Sequence, residues 1–211
     1  MRPVVMAVNT PLAKSRLNRV LRSAPRPIKL EIGGLTPRPG WVITNVNAVT
    51  KLYLDATSRW PLEDASCSHV YLDNVIEHLP LASGRAMLAE AARCLQPGGR
   101  IRVVTPDLRR HVELYLQGRD AMQSSLAQAY RDLPWDLVVE HPVDLVRIPI
   151  ASFEHYLGYL YDFDTLEAEL TRAGFSDVKE YGVGQSDDPD LRGLDQRTEE
   201  GPGQIAVEAS R

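Results

Sequence analysis

Apolar and polar positions change period several times along this 211-residue chain, and each change marks an element. Leu12, Leu17, Val20 and Leu21 sit among basic residues over 11–22, which predicts a short amphipathic helix. Ala24-Pro25-Arg26-Pro27 ends it, because proline cannot continue a helix and restricts the residue before it. Strict alternation in Ile28-Lys29-Leu30-Glu31-Ile32 predicts a strand, and the glycines and prolines of 33–40 predict a loop. Further strands are predicted over 41–46, 51–54, 68–72, 100–104, 178–183 and 204–209. Residues 83–95 carry Met87, Leu88, Ala91, Ala92 and Leu95 at helical spacing and stop at Gln96-Pro97-Gly98-Gly99. Thr105-Pro106-Asp107 predicts another helix start, with the Thr105 hydroxyl as N-cap and Leu108, Val112, Tyr115 and Leu116 on one face. Asp164 and Glu167 have capping-box spacing ahead of Leu166, Leu170 and Ala173, and Gly174 closes that helix. A polar loop over 184–203 leads to the last strand.

Strands alternating with helices predict an open α/β sheet, with 1–211 forming one domain. Residues 119–161, interrupted by Pro134, Pro142 and Pro149, read as an insertion covering a site. Such sheets bind ligands beyond the carboxyl ends of their strands, so the residues just after each strand are the candidates. Gly33 and Gly34 follow the first strand, where a missing Cβ lets backbone approach a ligand. Leu35, Pro37 and Pro39 break a dinucleotide fingerprint, which argues against nicotinamide binding. Asn45 and Asn47 follow the second strand as ribose ligands or turn formers, and Asp55 follows the third as an adenine contact or a cap. The densest group is Asp73-Asn74-Val75-Ile76-Glu77-His78-Leu79. There His78 could act as general base; Asn74, Glu77 and His78 could hold a cation; or the polar groups are structural.

Bulk properties narrow the partners. A net charge of -4 without a basic block argues against a nucleic-acid duplex, and Arg109-Arg110-His111 read as a solvated helix face. The two cysteines lack metal spacing. No apolar run is long enough for a membrane helix, and residues 1–9 are too soon interrupted for a signal peptide. The expected location is therefore the cytoplasm.

The ordered motifs Leu30-Glu31-Ile32-Gly33-Gly34, Leu54-Asp55-Ala56-Thr57, Asn74-Val75-Ile76-Glu77-His78-Leu79 and Arg93-Cys94-Leu95-Gln96-Pro97-Gly98-Gly99 carry a family resemblance. So do Tyr161-Asp162-Phe163-Asp164-Thr165-Leu166 and Ala173-Gly174-Phe175 nearer the end. The chain resembles a class I methyltransferase of the type 11 group over roughly residues 28 to 209. The resemblance implies a Rossmann-like, seven-stranded, mostly parallel sheet with its last strand antiparallel and helices on both faces. It also implies S-adenosylmethionine over the strand ends. Glu31, Gly33 and Gly34 match the cofactor loop, Asp55 and Ala56 the adenine contact, and Asp73 and Asn74 the contact after strand four. Asn45 or Asn47 stands where an acidic ribose ligand is usual, and Leu35 replaces a glycine-type position.

Related quinone-pathway enzymes look similar at Glu77-His78 and hold a magnesium-type ion there. With Asn74 as first ligand here, no metal is expected. For an oxygen acceptor the candidate catalytic residues are His78, His141 and His155, with Glu77 beside His78 and with Glu140 or Glu154 as orienters. Trp135, Phe153, Tyr115, Tyr156 and Tyr159 would line the acceptor or build the core of the covering segment. Size and organisation resemble actinobacterial sugar O-methyltransferases, so the expected acceptor is a sugar or secondary-metabolite hydroxyl. A homodimer is left open. The competing reading is a non-catalytic or regulatory subunit that keeps the fold.

Overall fold

The computed structural model describes residues 2–195 and 201–211, with side chains from residue 9. Its sheet has six strands: β1 (Ile28–Ile32), β2 (Trp41–Thr44), β3 (Cys67–Asp73), β4 (Leu95–Pro106), β5 (Ser176–Tyr181) and β6 (Gln204–Ser210). They lie in the order β2-β1-β3-β4-β6-β5. Pairs among β1 to β4 are parallel, and β6 runs antiparallel to both β4 and β5, as expected of the last strand. The seventh strand predicted over 51–54 is a single bridge between Tyr53 and Asn45. β2 ends at Thr44, so this segment finds only one residue to pair with: Asn45 N donates to Leu52 O and Leu54 N donates to Asn45 O.

Helix α1 (Arg2–Ser23) begins well before the predicted start and runs through Pro11. Helix α2 (Leu81–Cys94) matches its forecast, but the Pro-Gly-Gly turn after it is an irregularity inside β4. Cys67 pairs with Leu95 and His69 with Arg100, so residues 96–99 bulge out of the ladder. Because β4 continues to Pro106, helix α3 (Leu108–Leu116) is capped by Asp107, whose carboxylate accepts from Arg109 N at 3.1 Å. Helix α6 (Phe163–Arg172) is capped by Asp162, not Asp164, with Asp162 Oδ1 accepting from Thr165 N at 2.9 Å.

Register puts alternate residues of the sheet on two unlike faces. Leu30, Val70, Ile101, Val103 and Val207 share one face, packed against Leu17 and Leu21 of α1, Met87 and Leu88 of α2, and Leu166 and Leu170 of α6. Each such leucine contributes roughly 1.5–3 kcal/mol by leaving water. The opposite face carries a cross-strand row of Glu31, Tyr71, Arg102 and Glu208. Here the segment 182–195, rather than a helix, lies against the row. Leu191 and Leu194 pack on Tyr71 and Val104, and Asp195 accepts from Arg102 Nε at 2.9 Å and from Tyr71 Oη at 3.1 Å. A polar row needs partners that an apolar helix face would not supply. Residues 196–200 of the predicted polar loop lie outside the described residues.

Helices α4 (Ser125–Asp132) and α5 (Pro142–Ala151) share a small core of Leu126, Tyr130, Leu133, Leu145 and Ile148. The phase of α3 is opposite to the forecast: Val112, Tyr115 and Leu116 are exposed and His111 is fully buried. Among the described residues, no helix is long and apolar enough to cross a membrane.

Candidate functional site

Strands β1 and β3 end side by side, Ile32 opposite Leu72, and the chain turns sharply after each. Gly33 has a φ of +81°, and a Cβ there would collide with the Val75 side chain. Gly34 is wedged between the Glu31 carboxylate and Ile43, so it too has no room for a side chain. Asn45 holds this turn from β2: its Nδ2 donates to Gly33 O at 2.8 Å and to Gly34 O at 3.2 Å. Its Oδ1 accepts from Val46 N and Asn47 N. Of the two roles open to Asn45, ribose ligand or turn former, these hydrogen bonds are those of the turn former.

Glu31, Gly33, Gly34, Thr36, Arg38 and Asp73 line a cavity of about 120 Å³. Glu31 Oε2 is buried with no hydrogen-bond partner among the described residues; the Arg38 guanidinium lies 3.5 Å away. Burial pushes the Glu31 carboxyl up to about 7, against the pull of Arg38 and helped by the negative charge of Asp73. Arg38 is held over the Trp41 and Tyr71 rings and donates to Leu194 O at 3.2 Å.

Beyond β3, Asn74 adopts a φ of +51°, a conformation uncommon for a residue with a side chain. It starts the turn that carries Ile76–His78, which buries Glu77 and leaves His78 exposed. Thr105 Oγ1 donates to Glu77 Oε2 at 3.1 Å, which is why this hydroxyl does not cap α3. His155 arrives from the segment after α5 with Nε2 4.0 Å from Glu77 Oε1. Its Nδ1 lies 2.9 Å from Pro149 O, so that nitrogen carries a proton and Nε2 faces the carboxylate. The His78 and His155 rings lie 4.5 Å apart, edge to face. A cavity of about 190 Å³ opens beside them, lined also by Asn74, Tyr130, Trp135, Phe153 and Gln204. Asp73 lines the first cavity and Asn74 this one, so consecutive residues at the end of β3 border both.

Three of the four predicted catalytic residues therefore meet. Glu77, His78 and His155 each offer a ligand atom within 4.8 Å of the others, a donor set in which His155 replaces the expected Asn74. Gln204 Nε2 instead donates to Asn74 Oδ1 at 3.0 Å. His141 stands apart on the surface at the start of α5, where its backbone N donates to Asp144 Oδ2. Asp55 and Ala56 line neither cavity: Asp55 Oδ1 accepts from Thr57 N and Oγ1, and Ala56 O accepts from Trp60 Nε1. Tyr115, Tyr156 and Tyr159 are exposed and also stand outside the aromatic cavity.

Arg38, Tyr130 and Gln204 were not singled out in the sequence; Arg38 was visible only as part of a proline-rich loop. His111 is a correction of another kind. Its Nδ1 lies 2.7 Å from Asp107 O and its Nε2 2.6 Å from Tyr130 Oη, so the ring braces the aromatic cavity from behind. Burial pushes it down to about 4, against the bond to Asp107 O. The unfolded chain takes up that proton near pH 6.5 and the folded chain only near 4, so acid favours unfolding across this window. The expected loss from pH 7 to pH 4 is about 3 kcal/mol. Glu31 acts with the opposite sign, its raised value costing stability as pH rises from 4.5 to 7. The check is therefore a difference: urea midpoints at pH 7 and pH 4.5 for the parent chain and for His111→Gln, whose acid sensitivity should be smaller.

Residues 41–103 match the family model described as a methyltransferase domain. No curated protein matches the chain. Among solved structures, the S-adenosylmethionine-dependent methyltransferase SibL aligns at a TM-score of 0.50 and 14% identity, over 96% of this chain and 55% of that one. A SAM-dependent methyltransferase from Archaeoglobus fulgidus aligns at 0.49 and 15%, over 98% and 96%. One from Thermotoga maritima aligns at 0.48 and 15%, over 98% and 91%. The chain has the Rossmann-like methyltransferase fold. Identities this low speak to architecture alone.

Proposed function

We propose that this protein is an S-adenosylmethionine-dependent methyltransferase acting on a hydroxyl of a small molecule, a sugar or a secondary metabolite. The observation that carries the reading is the pair of neighbouring cavities at the ends of β1 and β3, one polar and glycine-walled, the other aromatic and carrying two histidines. The methyltransferase-domain match over 41–103 supports it.

The first cavity suits an amino-acid zwitterion. Glu31 Oε2, buried without a hydrogen-bond partner among the described residues, suits an ammonium group; Arg38 suits a carboxylate; and the glycines admit close backbone approach. S-adenosylmethionine, when bound, supplies a methyl group on a positively charged sulfur. The chain's own residues do the rest. Trp135, Phe153 and Tyr130 hold an acceptor and exclude water, and alignment of the two reactants provides much of the acceleration. The exposed His78 ring accepts the acceptor's proton, and buried His155 and Glu77 orient it. Helices α4 and α5 cover the acceptor within a single domain.

Calorimetric titration with S-adenosylhomocysteine tests the reading, with micromolar affinity expected. A panel of mono- and oligosaccharides with an isotopically labelled methyl donor then tests the acceptor. On a responsive acceptor, His78→Ala is expected to lower kcat roughly 10²-fold or more while leaving S-adenosylhomocysteine affinity unchanged. The engagement of Asn45 with the glycine turn favours a second reading, a subunit that keeps the fold without turnover. Absence of S-adenosylhomocysteine binding would favour that reading over the enzyme.

A further inference from the structure

A second cleft of substantial volume lies away from the histidine pair, along the outer edge of β2. It encloses about 780 Å³, within the range of small-molecule sites. Its floor is the side of β2 that bears Trp41 and Ile43, and its walls are Val20 of α1 and Leu52 of the segment after β2. Two anchors keep the walls apart. Asn9 Nδ2 donates to Ala48 O at 3.0 Å and to Thr50 O at 2.9 Å, and Lys14 lies over the Tyr53 ring. The cleft exists because the chain passes from β1 to β2 through a proline-rich loop, with no helix to cover this side of the strand.

Its chemistry is divided. The floor and walls are apolar, and at the mouth Leu35 and Val49 are 73% and 78% exposed. The rim carries Arg16 and Arg19, three residues apart on α1, and Lys51 from the facing segment. None of these three makes an ion pair or a side-chain hydrogen bond among the described residues, in a chain of net charge -4. The uncharged polar side chains lining the cleft are two, each partly engaged: Asn47 Oδ1 accepts from Val49 N, and Thr50 Oγ1 donates to Leu52 O.

We infer that this cleft binds an amphiphilic monoester phosphate, its apolar chain on Trp41 and Ile43 and its phosphate between Arg16, Arg19 and Lys51. The cations complement a doubly charged head, and the enclosed volume accommodates a short alkyl chain. The cleft shares Gly34, Leu35 and Arg38 with the cavity at Glu31, so its occupant would touch the outer side of the glycine loop. The inference does not depend on the methyltransferase reading.

The test is calorimetry on the full chain with octyl phosphate below its micellar concentration, beside octanol and inorganic phosphate. Octyl phosphate is expected to bind at least tenfold more tightly than either part alone. The double variant Arg16→Glu, Arg19→Glu is expected to weaken it at least tenfold, and Ile43→Trp to abolish it by filling the floor. Circular dichroism checks that both variants fold; Arg16 and Arg19 are exposed. Equal binding of octanol, equal binding of inorganic phosphate, or no effect of the double charge reversal would each overturn the inference. So would stoichiometric displacement of octyl phosphate by S-adenosylhomocysteine, which would make the cleft part of the nucleoside site.

Discussion

Arg102→Met is expected to cost about 3–5 kcal/mol of folding free energy, the largest loss for any single substitution considered. Arg102 is fully buried at the centre of the polar sheet face. Its guanidinium pairs with both oxygens of Asp195, with Glu208 Oε1 at 2.6 Å, and with Gln185 O at 3.0 Å. Arg100 neutralises the other Glu208 oxygen at 2.6 Å. Methionine fills similar volume but leaves Asp195 buried without its cation and Glu208 with only Arg100. The loss measures the stranded carboxylates, not the net worth of the pair. A second variant separates the two: Arg102→Met with Asp195→Leu and Glu208→Leu should recover much of the stability. Urea midpoints of the parent, single and triple variants check this, and a single variant within 1 kcal/mol of the parent would remove the network from the account.

Gly34→Val is expected to lower S-adenosylhomocysteine affinity at least tenfold, about 1.4 kcal/mol, because its Cβ falls where the Glu31 carboxylate and Ile43 already stand. The carboxylate is the softer of the two and would swing away from the cavity. The same group sets a pH dependence. With the Glu31 carboxyl at about 7, half of the chains hold it neutral at that pH, so affinity for an ammonium-bearing ligand should rise between pH 6 and pH 8. Glu31→Gln should flatten the profile and weaken binding at pH 8 most. A rising profile that survives Glu31→Gln would assign the titration elsewhere. Bound ligand would also lower the carboxyl, so protons should be released on binding near pH 7.

Much of the site was legible because its residues are adjacent in the chain. Gly33-Gly34 and Asp73 to His78 each follow a strand directly, and the sheet rule places both turns at one end. His155 was named only as one histidine of a covering segment; its approach to Glu77 is a long-range contact with no spacing to reveal it. His141 has the same Glu-His pairing in sequence and lies on the surface, so that local pattern could not choose between them. His111 was misread because two arginines precede it, although one helical step turns the histidine inward while Arg109 and Arg110 stay in solvent.

The sequence by itself determined where the six strands lie, since alternation and turn residues act over a few neighbours, while their mostly parallel course with an antiparallel last strand was what the family resemblance implied. It also pointed to Gly33-Gly34 as a turn open to close approach, but that no side chain fits at either position was decided by Val75, Glu31 and Ile43 in the folded molecule. Only the tertiary structure decided that residues 51–54 are not a strand, because pairing needs a neighbour and β2 stops at Thr44. It decided too that Asn45 serves the turn and that Arg102 is buried. A side chain's role depends on which distant groups can meet its hydrogen bonds and charge once water is gone, and that is a property of the packed molecule.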